Sequence, residues 1–148
     1  MGPAHKSVAV TPMRSFFRNL LGLFYLVAGI AHLRSPAGFL QITPLWVPWP
    51  EMVVALTGVA EIAGAVALVA VPKLRGAAGV GLALYALCVF PANIYHAAQD
   101  IAIGGRNLDW WYHGPRLALQ PVLIWWALYA GGVTNWPFST KRIQADII

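Results

Sequence analysis

The chain has 148 residues, 59% of them hydrophobic and only 10% charged, whereas soluble domains carry about 25% charged residues; so large a deficit excludes an ordinary water-soluble domain and points to a membrane protein. The net charge of +5 comes from basic residues scattered among apolar runs, with no basic stripe and no nucleic-acid-binding motif. A single cysteine, Cys88, excludes dithiol chemistry within one chain.

Residues 1–15 contain Pro3, Pro12 and several polar side chains, and they read as a flexible tail. The apolar run 16–33 is slightly short but within the length range of a membrane-crossing helix. No small-residue cleavage site follows it, so it reads as a retained helix rather than a signal peptide. Residues 34–49, RSPAGFLQITPLWVPW, hold three prolines and two tryptophans. They are expected to form an irregular cap at the membrane interface and no regular helix.

The second span, 50–71, opens on Pro50 and the early acid Glu51, both suited to a helix N-terminus. A third span covers 76–97. The loop from Ala98 to Gly114 is more polar and ends in the cluster Trp110, Trp111 and Tyr112, expected to belong to an interfacial aromatic belt. A fourth span, 115–133, carries Pro121 as an expected kink, and 134–148 form a second tail. Gly58, Ala60, Gly64, Gly76, Gly79 and Gly81 are small positions that let helix backbones approach in a bilayer. The expected fold is all-α, a single integral-membrane four-helix bundle.

Orientation follows from the basic residues. With both termini in the cytoplasm, Lys6, Arg14, Arg18, Lys73, Arg75, Lys141 and Arg142 lie inside, and only Arg34, Arg106 and Arg116 lie outside.

Against this apolar background the polar residues stand out. His32 ends the first span, and Glu61 sits near the middle of the second. Asn93 and His96 share one face of the third, and Arg116 and Gln120 share one face of the fourth. At about 1.5 Å of rise per residue, Glu61 lies roughly 15 Å along its helix from Pro50. A cluster of Glu61, Asn93, His96, Arg116 and Gln120 is therefore geometrically feasible. A charge at the bilayer centre costs about 2.5–3.5 kcal/mol even on a lenient scale. Glu61 is then a neutral hydrogen-bonded acid, an ion-pair partner of Arg116, or a ligand or proton site. For His32 and His96 the expectation is interfacial histidines bonded to the cap loop, with a bis-histidine haem as the alternative. No Glu-x-x-His pair or matched carboxylate set indicates a non-haem metal. His5 and His113 fall in tail and loop, with no site expected.

The run GLFYLVAGIAHLRSPAGFLQITPLWVPWP, followed by LTGVAEIAGAVAL, VPKLRGAAG, VFPANIYHA and PRLALQPVLIWWALY, resembles the DoxX-like family of small bacterial membrane proteins. The resemblance runs from about Leu20 to Tyr129. It places family pattern positions on Gly29, His32, Pro36, Phe39, Pro44, Pro48, Gly58, Glu61, Gly64, Pro91, Asn93, Arg116 and Gln120, but not on His96. It implies a four-helix bundle in the bacterial inner membrane. The family takes its name from a quinol oxidase component, and it includes proteins linked to sulfur oxidation and redox defence.

The function expected on this basis is an accessory subunit of a membrane oxidoreductase. Its outer-leaflet polar pocket of His32, Glu61, Asn93, His96, Arg116 and Gln120 would hold a quinone or similar molecule, because quinone carbonyls accept hydrogen bonds from such donors. With no cofactor motif in the chain, electrons would come from a partner. The alternatives are a non-catalytic assembly scaffold and a small-molecule or lipid binder. Oligomerisation is compatible with each.

Overall fold

The structure, a computed structural model, describes residues 12–138; His5, Lys6, Lys141, Arg142 and Asp146 lie outside the described residues. The described chain is helical: α1 (Pro12–Arg34), a short α2 (Pro36–Gln41), α3 (Pro50–Ala70), α4 (Arg75–Ala98) and α5 (Trp110–Gly131). α1, α3, and α4 with the 3-10 turn before it are each long and apolar enough to cross a membrane. α5 has comparable length but carries His113, Arg116 and Gln120, and it falls short of the other three in apolarity.

The helix ends differ from expectation in three places. α1 begins at Pro12 rather than Phe16, so residues 12–15 of the expected tail are helical. The polar first turn hides this from an apolar-run reading, while Arg14 and Arg18 anchor it to the carbonyls of Thr134 and Ala130. The cap loop, expected to lack regular helix, contains α2, with Pro36 at a first-turn position where a missing N–H costs nothing. α5 begins at Trp110, so Trp110, Trp111, Tyr112 and His113 are helical rather than loop. Asp109 starts it, accepting at its carbonyl from the Tyr112 and His113 amides.

At the other end of α5, Gly132 adopts φ +80°, a left-handed conformation that L side chains resist. Its amide bonds to Tyr129 O and the Val133 amide to Leu128 O, closing the helix with its loose carbonyls satisfied.

One stripe on each helix faces the others. Buried positions on α3 are 54, 58, 61, 65 and 68, and those on α1 include 18, 22, 25 and 29. This alternation of four and three residues keeps a seam facing an antiparallel neighbour. α1 packs along α3 and α4 along α5, with lighter contacts joining the two pairs. Backbones meet where glycines remove side chains. A Cβ on Gly29 would stand 2.6 Å from Gly58 O, and one on Gly79 would stand 2.7 Å from Ala127 O. Gly64 packs on Leu82 rather than beside Glu61, and Gly76 and Gly81 face open space, so those last two are not packing positions.

The opposite faces are apolar and exposed: Leu23, Phe24, Val27 and Ile30 on α1, and Met52, Leu56, Val59 and Val66 on α3. So extensive an exposed apolar surface suits lipid rather than water.

Candidate functional site

Glu61 occupies a seam position of α3 and therefore faces protein rather than lipid, at 4% exposure. Its nearest charged or chargeable neighbour is His32 on α1, whose Nδ1 lies 2.9 Å from Oε2. The same Nδ1 is 2.9 Å from the Ala28 carbonyl, so two acceptors lie at equal distance from one ring nitrogen. One N–H cannot serve both well, and the buried Glu61 Oε2 is left with acceptor capacity to spare. The Phe39 ring of α2 stacks on the imidazole at 3.7 Å and fixes it from the cap side. Tyr25 and Tyr85 bring their hydroxyls toward the same carboxylate from α1 and α4. The Tyr25 hydroxyl is itself buried and unpartnered.

Arg116 stands on a separate wall, and Glu61 is not its ion-pair partner. Among the described residues the only ion pair is that of His32 with Glu61. The Arg116 guanidinium donates instead to His96 Nδ1 at 2.7 Å. His96, fully buried, donates from Nε2 to Ile101 O at 3.0 Å. That second bond fixes the tautomer, with the proton on Nε2 and the lone pair on Nδ1 turned to Arg116. Tyr112 lies under the guanidinium with its ring centroid 5.8 Å away. Most of the five donors of Arg116 are left for another acceptor.

Between these walls lies a cavity of about 730 Å³, lined by residues of all four long helices and by the cap segment from Phe39 to Val47. Glu61, His32, Asn93, Arg116 and Gln120 all line it. His96 does not, and acts from behind Arg116. Gln120 is already engaged, donating to Ala86 O at 3.2 Å and tying α5 to α4. The rest of the wall is mostly apolar, including Val54, Val89, Leu119 and Leu123. Trp46, Trp111 and Leu119 belong to the wall and are exposed, so the cavity opens outward. Trp46 and Trp111 thus serve the cavity as well as any interfacial belt.

Sequence reasoning missed Tyr25, Thr57 and Tyr85. Tyr25 precedes His32 by two helical turns, and Tyr85 precedes Asn93 by about the same, so each shares a face with a recognised polar residue. Aromatic residues in apolar runs do not announce themselves; facing a carboxylate does. His113 was also missed. It is buried on α5 with its ring 4.7 Å from that of His96 and neither nitrogen partnered. Cys88 is exposed and free, on the cavity rim.

Comparison with known proteins gives a family and no function. Residues 21–130 match the model of a family described as domain of unknown function DUF8561, and the chain belongs to that family. No curated protein and no solved structure matches it. The matched segment spans the cavity-lining residues of all four long helices.

Proposed function

We propose that this DUF8561 family member is a four-helix membrane protein that binds a quinone-type molecule in its cavity, serving as an accessory subunit of a membrane oxidoreductase. In this reading α5 is the fourth span, both termini face the cytoplasm of a bacterial inner membrane, and kinship with DoxX-like proteins accounts for the shared order of motifs. The bias of lysine and arginine toward one side supports the orientation.

The observation that carries the reading is the division of the cavity into two polar stations. Glu61 Oε2 offers spare acceptor capacity beside His32 and Tyr25. Arg116 offers donors, held in place by His96. A quinone ring is flat and apolar with oxygens at opposite edges. An oxidised ring places an acceptor at Arg116, and a quinol hydroxyl donates at Glu61. Pockets for such ligands are mostly apolar with a few converging polar groups, and roughly 300–1,000 Å³ in size. Electron transfer is assigned to the partner enzyme, and this chain contributes the hydrogen-bonding groups that would hold the ring.

Tryptophan quenching tests it. Trp46 and Trp111 line the cavity, and a quinone bound beside them quenches their emission. A short-chain quinone titrated into the detergent-solubilised protein is expected to quench saturably, with Arg116→Gln and Glu61→Leu weakening the effect. Quenching that stays linear with concentration, or that both variants leave unchanged, refutes the reading.

A further inference from the structure

The end of the helical assembly where α1 begins gathers positive charge with no paired carboxylate among the described residues. Arg14 and Arg18 lie in the first two turns of α1, and Arg75 opens α4. Arg18 and Arg75 spend donors on the loose carbonyls at the C-termini of α5 and α3, and Arg14 donates to the Thr134 carbonyl and the Asn135 side chain just past the end of α5. Arg18 Nε donates to Ala130 O at 3.0 Å, and Arg75 donates to the Leu68 and Val69 carbonyls at 3.3 Å each. Arg14 reaches Thr134 O at 3.2 Å. These bonds hold the guanidinium groups in position and neutralise none of them.

The three gather at the end of α5: a Cβ on Gly131 would stand 2.7 Å from the Arg75 carbonyl, one on Gly132 would stand 3.7 Å from the Arg14 guanidinium, and Arg18 bonds to Ala130 O. The charges of Arg14 and Arg75 bear on Arg18, which is 5% exposed. Arg14 Nε is buried with no partner. Among the described residues no carboxylate pairs with any of the three. Glu51, Asp100 and Asp109 belong to the opposite end, and Glu61 is taken up in the cavity. Packed like charges repel unless an anion sits among them. The positive N-terminal ends of α1 and α4 are offset here by the negative C-terminal ends of α3 and α5, so the guanidinium groups themselves make up the excess charge.

We propose that Arg14, Arg18 and Arg75 bind the phosphate of an anionic phospholipid from the adjacent leaflet. The apolar side chains Met13, Phe16 and Leu74 are exposed beside the cluster and offer the acyl chains a surface, which favours a lipid over free phosphate. A guanidinium cluster suits phosphate because each planar fork donates paired hydrogen bonds to its oxygens. This site stands apart from the cavity and does not depend on what the cavity holds.

The test uses the full chain, purified in a neutral detergent. Thermal unfolding is followed with phosphatidylglycerol, phosphatidylcholine or inorganic phosphate added, and lipid retention is read by native mass spectrometry. Phosphatidylglycerol is expected to be retained and to raise the unfolding temperature more than phosphatidylcholine. The double variant Arg14→Gln/Arg75→Gln is expected to bind it roughly 30-fold more weakly. Both positions are only half-buried, and an unchanged helical circular dichroism spectrum and an unchanged unfolding temperature without added lipid report an intact fold in the variant. Arg18→Gln is the stricter variant, and its loss of lipid counts only where the helical circular dichroism spectrum is kept. Stabilisation by inorganic phosphate equal to that by phosphatidylglycerol keeps the phosphate site and overturns the lipid as its source. Equal effects of the two lipids, or a double variant that keeps the preference, overturn the proposal altogether.

Discussion

His32 and Glu61 meet across the α1–α3 seam with Nδ1 and Oε2 2.9 Å apart, directly beside the point where Gly29 and Gly58 bring the two backbones together. The glycines are what make the contact possible. A Cβ on Gly58 would fall 2.8 Å from the Cβ of His32 and 3.0 Å from Gly29 O. The acid of α3 is therefore met by a histidine of α1, and the arginine of α5 is left to another partner.

Gly58→Ala is expected to destabilise the protein by about 1–3 kcal/mol, because the added methyl group must push backbone rather than a flexible side chain. Thermal unfolding in detergent reads the loss. Gly81→Ala, which meets open space, is the matched control and is expected to be neutral or slightly stabilising. Equal effects of the two substitutions would refute the close-packing account.

The second glycine crossing gives a parallel expectation at the far end of the assembly. Gly79→Ala places a methyl group 2.9 Å from Gly131 Cα and 2.7 Å from Ala127 O. It is expected to lower the unfolding temperature clearly, whereas Gly76→Ala, also in α4, is expected to leave it in place. A protein that accepts Gly79→Ala without loss has α4 and α5 further apart than described.

Glu61→Gln keeps volume and hydrogen bonding while removing titration, so it is expected to accumulate and unfold like the parent. Glu61→Leu removes the His32 contact and the acceptor together, and is expected to weaken quinone quenching. Expression level and quenching read the two effects separately. A Gln variant that fails to accumulate would show that the negative charge itself holds the fold.

His96 works through Arg116. Replacing it with Leu removes the partner of the half-buried Ile101 carbonyl and of one Arg116 donor, at about 1 kcal/mol for each hydrogen bond lost. The expected result is a lower unfolding temperature together with weaker ligand binding. His96→Gln offers both a donor and an acceptor and is expected to restore part of each. Weaker binding in the Leu variant with no rescue by Gln would remove the positioning role.

The acid, the guanidinium and the histidines of the site were legible in the sequence because such a group in an apolar run demands a partner, whereas Tyr25, Thr57 and Tyr85 pass as ordinary members of such runs. Helix existence was legible for the same reason, since long apolar runs have few other uses. Helix ends were less so. α1 starts within polar residues and α5 within a loop-like aromatic cluster, where no change of apolar period marks the boundary.

The sequence by itself therefore determined a helical, membrane-directed chain and marked Glu61, His32, Asn93, Arg116 and Gln120 as residues that lipid tolerates poorly, and the structure turned them toward one cavity. Only the tertiary structure decided the pairing. Glu61 goes with His32 because Gly29 and Gly58 close α1 onto α3, and Arg116 goes with His96 because α4 and α5 are neighbours. Helical periodicity fixes which residues share a face of one helix, but the approach between helices depends on where side chains are small enough to permit it.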